Sequence, residues 1–142
     1  MKEPVTLVFE KITDRKVRYI AYNGEAHFKL YIPQRRIPDP WPRSIRVSVE
    51  PYNEKMILES FSGNKSQAID TVIHWDSDCK NTTRYRPDGE PESWEIGEPY
   101  IPHDLLPDAP RKVRIKVDWE MEGPYIPHAI SDPSTKMRIK LD

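Results

Sequence analysis

The tripeptide Tyr-Ile-Pro occurs three times in this chain, and each time an alternating apolar stretch follows it. Tyr31-Ile32-Pro33 opens YIPQRRIPDPWPRSIRVSVE, Tyr100-Ile101-Pro102 opens YIPHDLLPDAPRKVRIKVDWE, and Tyr125-Ile126-Pro127 opens YIPHAISDPSTKMRIKLD. A fixed order of tyrosine, proline-bearing loop and alternating strand is a repeat, and a repeat constrains the fold more than any single motif. The first two copies also match upstream. VTLVFEKITDRKVRY (5–19) aligns without gaps on TVIHWDSDCKNTTRY (71–85), placing Phe9 on Trp75, Glu10 on Asp76, Arg18 on Arg84 and Tyr19 on Tyr85.

Inside each copy the periodicity is that of half-buried strands. Ile45, Val47 and Val49 alternate with Arg46, Ser48 and Glu50. Val113, Ile115, Val117 and Trp119 alternate with Arg114, Lys116 and Asp118. A period of two places each apolar set on one sheet face. Fifteen prolines argue against long helices, because proline removes a donor and clashes with the preceding turn. Asn23-Gly24 and Asp88-Gly89 supply residues that accept positive φ, as tight hairpins require.

The expected fold is therefore all-β. Two homologous four-stranded units and a C-terminal half-unit pack as a sandwich or barrel-like domain. The divisions are unit A at 1–50, a linker or extra strand at 51–70, unit B at 71–119, and a half-repeat C at 120–142 that completes the sheet. Met137, Ile139 and Leu141 form the apolar face of that half-repeat. The Ile-Pro corner after a strand resembles that of the swapped-hairpin transition-state regulators. The Leu-Gly…Gly-Asp stretch of that family is absent here, so the resemblance implies neither their fold nor their DNA binding.

Chemistry is sparse. The five glycines form no phosphate-binding loop, and no His-Glu-x-x-His or Gly-x-Ser-x-Gly is present. Cys79 is the only cysteine, which excludes an intramolecular disulfide and fits a reducing, cytoplasmic setting. No apolar run approaches the ~20 residues of a membrane span. His103 and His128 share one repeat position, directly after Tyr-Ile-Pro; two ligands are fewer than the three or four a metal requires. His74, Asp76 and Asp78 read as one row on a strand end, and EPESWEIGE (90–98) as an exposed acidic loop.

One feature belongs to unit A alone: Arg35, Arg36, Trp41 and Arg43 lie in a loop with prolines at 33, 38, 40 and 42. Arginine and tryptophan often dominate binding energy, and prolines limit the entropy lost when a loop is fixed on a partner. Residues 1–50 hold ten Lys and Arg against six Asp and Glu (net +4), and the remainder twelve against seventeen (net −5).

The reading that follows is a non-catalytic binding protein without a cofactor, contacting a protein partner through Arg35, Arg36, Trp41 and Arg43. The alternative is a nucleic-acid-binding protein using the same loop. A third reading is a metal-dependent enzyme using His103 and His128. The sequence leaves the oligomeric state open.

Overall fold

The computed structural model describes residues 3–58 and 67–127. The strands are β1 (Val5–Thr13), β2 (Lys16–Asn23), β3 (Ala26–Pro33), β4 (Ser44–Pro51), β5 (Ile69–Asp78), β6 (Thr82–Pro87), β7 (Tyr100–Pro102) and β8 (Lys112–Trp119). All neighbours are antiparallel, and the order β1-β2-β3-β7-β6-β5-β8-β4 closes on itself as a barrel. Closure gives every described strand a neighbour on both sides, most briefly between β3 and β7.

The alternating residues face the interior. Ile45, Val47 and Val49 of β4 and Val113, Ile115 and Val117 of β8 are buried in one core with Leu7, Phe28, Leu30, Ile32 and Ile101. Side chains fill the interior, as in small closed barrels generally. Trp119 closes one end, donating its indole N–H to the Gln67 carbonyl at 2.9 Å.

Positions that align between residues 5–19 and 71–85 are paired alike. Phe9 pairs with Tyr19, and Trp75 with Tyr85. A bulge falls between Phe9 and Lys11 in β1, and between Trp75 and Ser77 in β5. The bulged residues are therefore the aligned acids Glu10 and Asp76. The buried Tyr19 hydroxyl donates to the Pro42 carbonyl at 2.7 Å, and the Tyr85 hydroxyl to the Pro110 carbonyl at 2.8 Å. The Phe9 amide donates to the Arg43 carbonyl, and the Trp75 amide to the Arg111 carbonyl. Each tyrosine ties the proline-bearing loop of its unit to the strand pair beneath it. Burial disfavours the phenolate at both, raising the pKa of Tyr19 and pushing that of Tyr85 up to about 12, with help from the Asp78 charge.

The units meet along two seams of unequal length. β4 and β8 pair from Ile45↔Trp119 to Pro51↔Val113, whereas β3 and β7 share the single pair Lys29↔Tyr100. The short seam traces to one difference. In unit A the Gly24 turn (φ 59°) joins β2 to β3 as a tight hairpin. In unit B, Asp88-Gly89 makes no tight hairpin. β6 ends at Pro87, and residues 88–99 leave the ladder, with Ile96 buried in the core, before β7 begins. Pro91 and Pro99 lack amide donors, so this stretch cannot continue a ladder as the 26–33 segment does.

Of the half-repeat, the described part packs on unit A. Pro42 bridges Tyr125, the Ile126 amide donates to the Trp41 carbonyl, and Ile126 is buried. Residues 128–142, with Met137, Ile139 and Leu141, lie outside the described residues, as do 59–66. The 51–58 segment contains a turn at Glu54–Lys55, and β5 starts at Ile69, two residues before the aligned segment.

Candidate functional site

The outer surface of the barrel carries a row of side chains that runs across the short seam. On unit A, Glu10 is ion-paired with Arg18, and Arg18 donates from Nη1 to the Tyr31 hydroxyl at 3.1 Å with its guanidinium 5.8 Å from the ring centroid. On unit B, Arg84 lies 3.6 Å from Asp76, is hydrogen-bonded to Glu98, and sits 5.8 Å from the Tyr100 ring centroid. The order is acid, arginine, tyrosine on one side and tyrosine, arginine, acid on the other, the two halves offset by two residues because Tyr100 pairs with Lys29. Every member is an aligned pair: Glu10 with Asp76, Arg18 with Arg84, Tyr31 with Tyr100. The register places them: Tyr31 pairs with Arg18 and Tyr100 with Arg84, both on the face opposite the buried Ile32 and Ile101. Burial alone would lower the Arg18 pKa, but the hydrogen bonds to Glu10 and Tyr31 outweigh it and the net shift is upward. The hydrogen bond that Arg84 donates to Glu98 chiefly raises the pKa of Arg84.

Where the two tyrosines approach the seam, a cleft of about 270 Å³ opens between them. Thr13, Asp14 and Lys16 of the first hairpin line it together with Trp94, Gly97 and Glu98 of the 88–99 connection, and the Lys16 side chain runs past Gly97. Trp94 is 8% exposed and donates its indole N–H to the Gly89 carbonyl at 3.0 Å. Gly97 permits the closest approach. Its amide donates to the Tyr31 carbonyl at 2.7 Å, and a Cβ at this position would lie 2.8 Å from the Tyr31 Cβ. The stretch read from sequence as an exposed acidic loop is therefore a wall of the cleft, with Trp94 and Ile96 buried. The signal that marks it is its two apolar side chains, Trp94 and Ile96, spaced by two among acids.

The four arginine-loop residues are divided by the structure. Arg36 is fully buried: Nε lies 3.2 Å from Glu95 Oε1, and its two terminal nitrogens reach the Gln67 and Ala68 carbonyls at 3.3 and 3.4 Å. Trp41 is 3% exposed and belongs to the core. Arg35 is half-exposed, donates to the Trp94 carbonyl and lies 3.7 Å from Glu95. Arg43 is exposed, and its backbone anchors Phe9 and Pro124. Arg35 and Arg36 thus clamp unit A onto the 94–95 segment of unit B, behind the cleft. Arg36 and Trp41 are screened from any partner that docks at the surface.

The other sequence candidates do not converge. His103 is exposed beside Glu25, Asn81 and Asp104 at an open depression of about 380 Å³, and His128 lies outside the described residues. Asp78 accepts from the Trp75 indole and the Thr83 hydroxyl, His74 pairs with Asp88 at 2.7 Å, and Asp76 turns to Arg84. The bulge at Asp76 breaks the period of two that would have aligned them. Among the described residues no three His, Cys, Asp or Glu side chains are grouped to hold a metal, and no helix is long and apolar enough to cross a membrane.

No family model, curated protein or solved structure matches this chain.

Proposed function

We propose that the protein is a non-catalytic binding protein, and that its ligand occupies the cleft at the short seam between the two units. The observation that carries this reading is the meeting of Tyr31 and Tyr100, aligned residues of different units, with Trp94 around one cleft. Small-ligand sites are concave, partly aromatic and furnished with a few fixed polar groups. Here Arg18, paired with Glu10, hydrogen-bonds the Tyr31 hydroxyl, and Arg84, paired with the cleft residue Glu98, sits beside Tyr100. Lys16 and Asp14 have no ion pair among the described residues and are free to meet a ligand.

The arrangement is read here as the product of an internal duplication. Matched bulges, matched tyrosine hydrogen bonds and the matched acid–arginine–tyrosine rows support it. Arg35, Arg36, Trp41 and Arg43 are then chiefly support for the cleft rather than its contacts, with Arg35 near the Trp94 wall. The ring closes with only the short β3–β7 contact thinly paired, and the 88–99 connection lies against Tyr31 there, which moves the proposal from strand addition by a protein partner to a small ligand. A reducing, cytoplasmic setting is part of the reading, supported by the exposed free thiol of Cys79.

Amide NMR of the full chain, titrated separately with adenosine monophosphate, maltose and tetramethylammonium, tests the site. Shifts confined to the neighbourhoods of Lys16, Tyr31, Trp94, Gly97 and Tyr100 support it. Shifts centred elsewhere, or none with any probe, overturn it.

A further inference from the structure

We infer that the barrel opens at its short seam, where β3 parts from β7 and the 88–99 connection while the long seam between β4 and β8 stays closed. The ladders prepare this. β7 spans only Tyr100–Pro102, and Pro99 and Pro102 have no amide to donate, so its pairing loses a donor at each end. β7 pairs with β6 at three positions but with β3 at one, Lys29↔Tyr100. β4 and β8 pair at seven, from Ile45↔Trp119 to Pro51↔Val113. A ring closed by ladders of such unequal length parts first at the shortest.

The other fastenings fall the same way. The 88–102 stretch is tied to β6 by the Tyr85 amide on the Pro99 carbonyl and by Arg84 on Glu98, and to itself by the Trp94 indole on the Gly89 carbonyl. Across the seam, the Gly97 amide donates to the Tyr31 carbonyl at 2.7 Å, and the Asn81 side chain reaches the Glu25 carbonyl at 3.4 Å. Charge then does what the ladder does not. Arg36, fully buried, lies 3.2 Å from Glu95, and Arg35 holds the Trp94 carbonyl. A buried cation that loses its carboxylate is strongly disfavoured, so Arg36 and Glu95 latch a seam that the ladder leaves weak. Ile96 and Ile101 are buried in the core, so the open state exposes apolar surface and is the minor one.

Proteins open in cooperative units of unequal stability, and ligand-binding segments come from the weak end of that range. The cleft draws Lys16 and Tyr31 from the first segment of the chain and Trp94, Gly97 and Tyr100 from the second, so parting of the seam widens it for entry. That consequence rests on the cleft being the binding site; the opening itself does not.

Native-state amide exchange of the full chain, followed by NMR over sub-denaturing guanidinium chloride, is the experiment. Gly97 reports on the seam, and Val47 and Val117 report on the part that stays closed. Gly97 exchanges through an opening at least roughly 10-fold more populated than the one that frees Val47 and Val117, as sub-global opening requires. Ile115→Ala, in the closed part, accelerates exchange at Val47 and Val117 by more than about 10-fold and leaves Gly97 unchanged. Should that variant fail to fold, Ile115→Val gives the same contrast at smaller size. A disulfide joining Lys29→Cys to Tyr100→Cys, made in Cys79→Ser protein, slows Gly97 relative to the reduced form of the same variant; directly paired Cα atoms, about 4.5–5.5 Å apart, lie within disulfide reach. Should the disulfide not form, the contrast between Gly97 and Val117 decides. Gly97 protected as strongly as Val117, or accelerated in parallel with it by the Ile115 variants, overturns the opening. Gly97 exchange that is indifferent to oxidation overturns it too, since the connection then fluctuates without the seam parting. Neither arm uses a ligand, so failure here leaves the titration that tests the cleft untouched.

Discussion

The segments 5–51 (unit A of the sequence reading) and 69–119 (unit B) run differently after their second strands. Unit A turns at Gly24 and pairs β2 with β3 from Asn23↔Ala26 to Lys16↔Pro33. The second segment leaves the sheet at Pro87, runs through the buried Trp94 and Ile96, and returns for only three residues of β7. The inward positions hardly notice: Ile32 and Ile101, Val17 and Thr83, Tyr19 and Tyr85 are all buried. The outward positions change completely, because the detour adds a wall against Tyr31 where a hairpin would have left a flat ladder. The barrel thus rests on what the units share, and the cleft rests on what they do not.

The largest expected effect breaks the shared part. Ile115 is fully buried on β8, at the centre of the long seam. Ile115→Ala should cost about 2–5 kcal/mol in denaturant unfolding. A loss below about 1 kcal/mol would place this face outside the core. Next comes the clamp behind the detour. Arg36→Ala removes a buried cation from Glu95 and from two carbonyls, and should cost about 3 kcal/mol. Amide exchange of that variant should accelerate most at 94–98; uniform acceleration would mean that Arg36 serves the whole barrel instead.

A smaller effect sharpens the contrast at the wall itself. Gly97→Ala forces a Cβ against Tyr31, and overpacking of this kind typically costs about 1–3 kcal/mol. Shifted NMR signals should centre on Tyr31 and Tyr100, with β4 and β8 unmoved. Unchanged signals at Tyr31 would show that the wall yields freely.

The smallest effect concerns what the units hold in common. The phenol of Tyr85 titrates near 12 in the fold and near 10 when unfolded, because burial and Asp78 disfavour its charge. A raised folded pKa means that the contribution is intact below about pH 10 and is lost as pH rises toward 12. Tyr19 shifts in the same direction. Unfolding midpoints should therefore fall through this window, and Tyr85→Phe should reduce the fall. A flat profile from pH 9 to 12 would contradict it.

Much of the barrel was legible in the sequence because its signals are local and repeated. The alternation at 45–49 and 113–117 gave the buried face, and the alignment of Glu10, Arg18 and Tyr19 with Asp76, Arg84 and Tyr85 followed the register, bulge included. The cleft was not legible, for two physical reasons. Asp88-Gly89 carries the same turn chemistry as Asn23-Gly24, and only the prolines at 91 and 99 tell that no ladder follows. The acids of 90–98 also suggest a solvated loop, whereas Glu95 and Glu98 are engaged by Arg36 and Arg84 from distant parts of the chain. Arg36 and Trp41 drew attention as surface contacts for the same reason: a proline-rich loop looks exposed until its long-range partners are known.

A crystal structure of the full chain tests the central claim most directly. The account predicts a closed eight-stranded ring in which the 88–99 connection leaves the ladder and seats Gly97 against Tyr31, with Trp94 and Tyr100 beside the same cleft. A tight hairpin at Asp88-Gly89, with residues 90–97 paired along β6 and no cleft beside Tyr31, would contradict it.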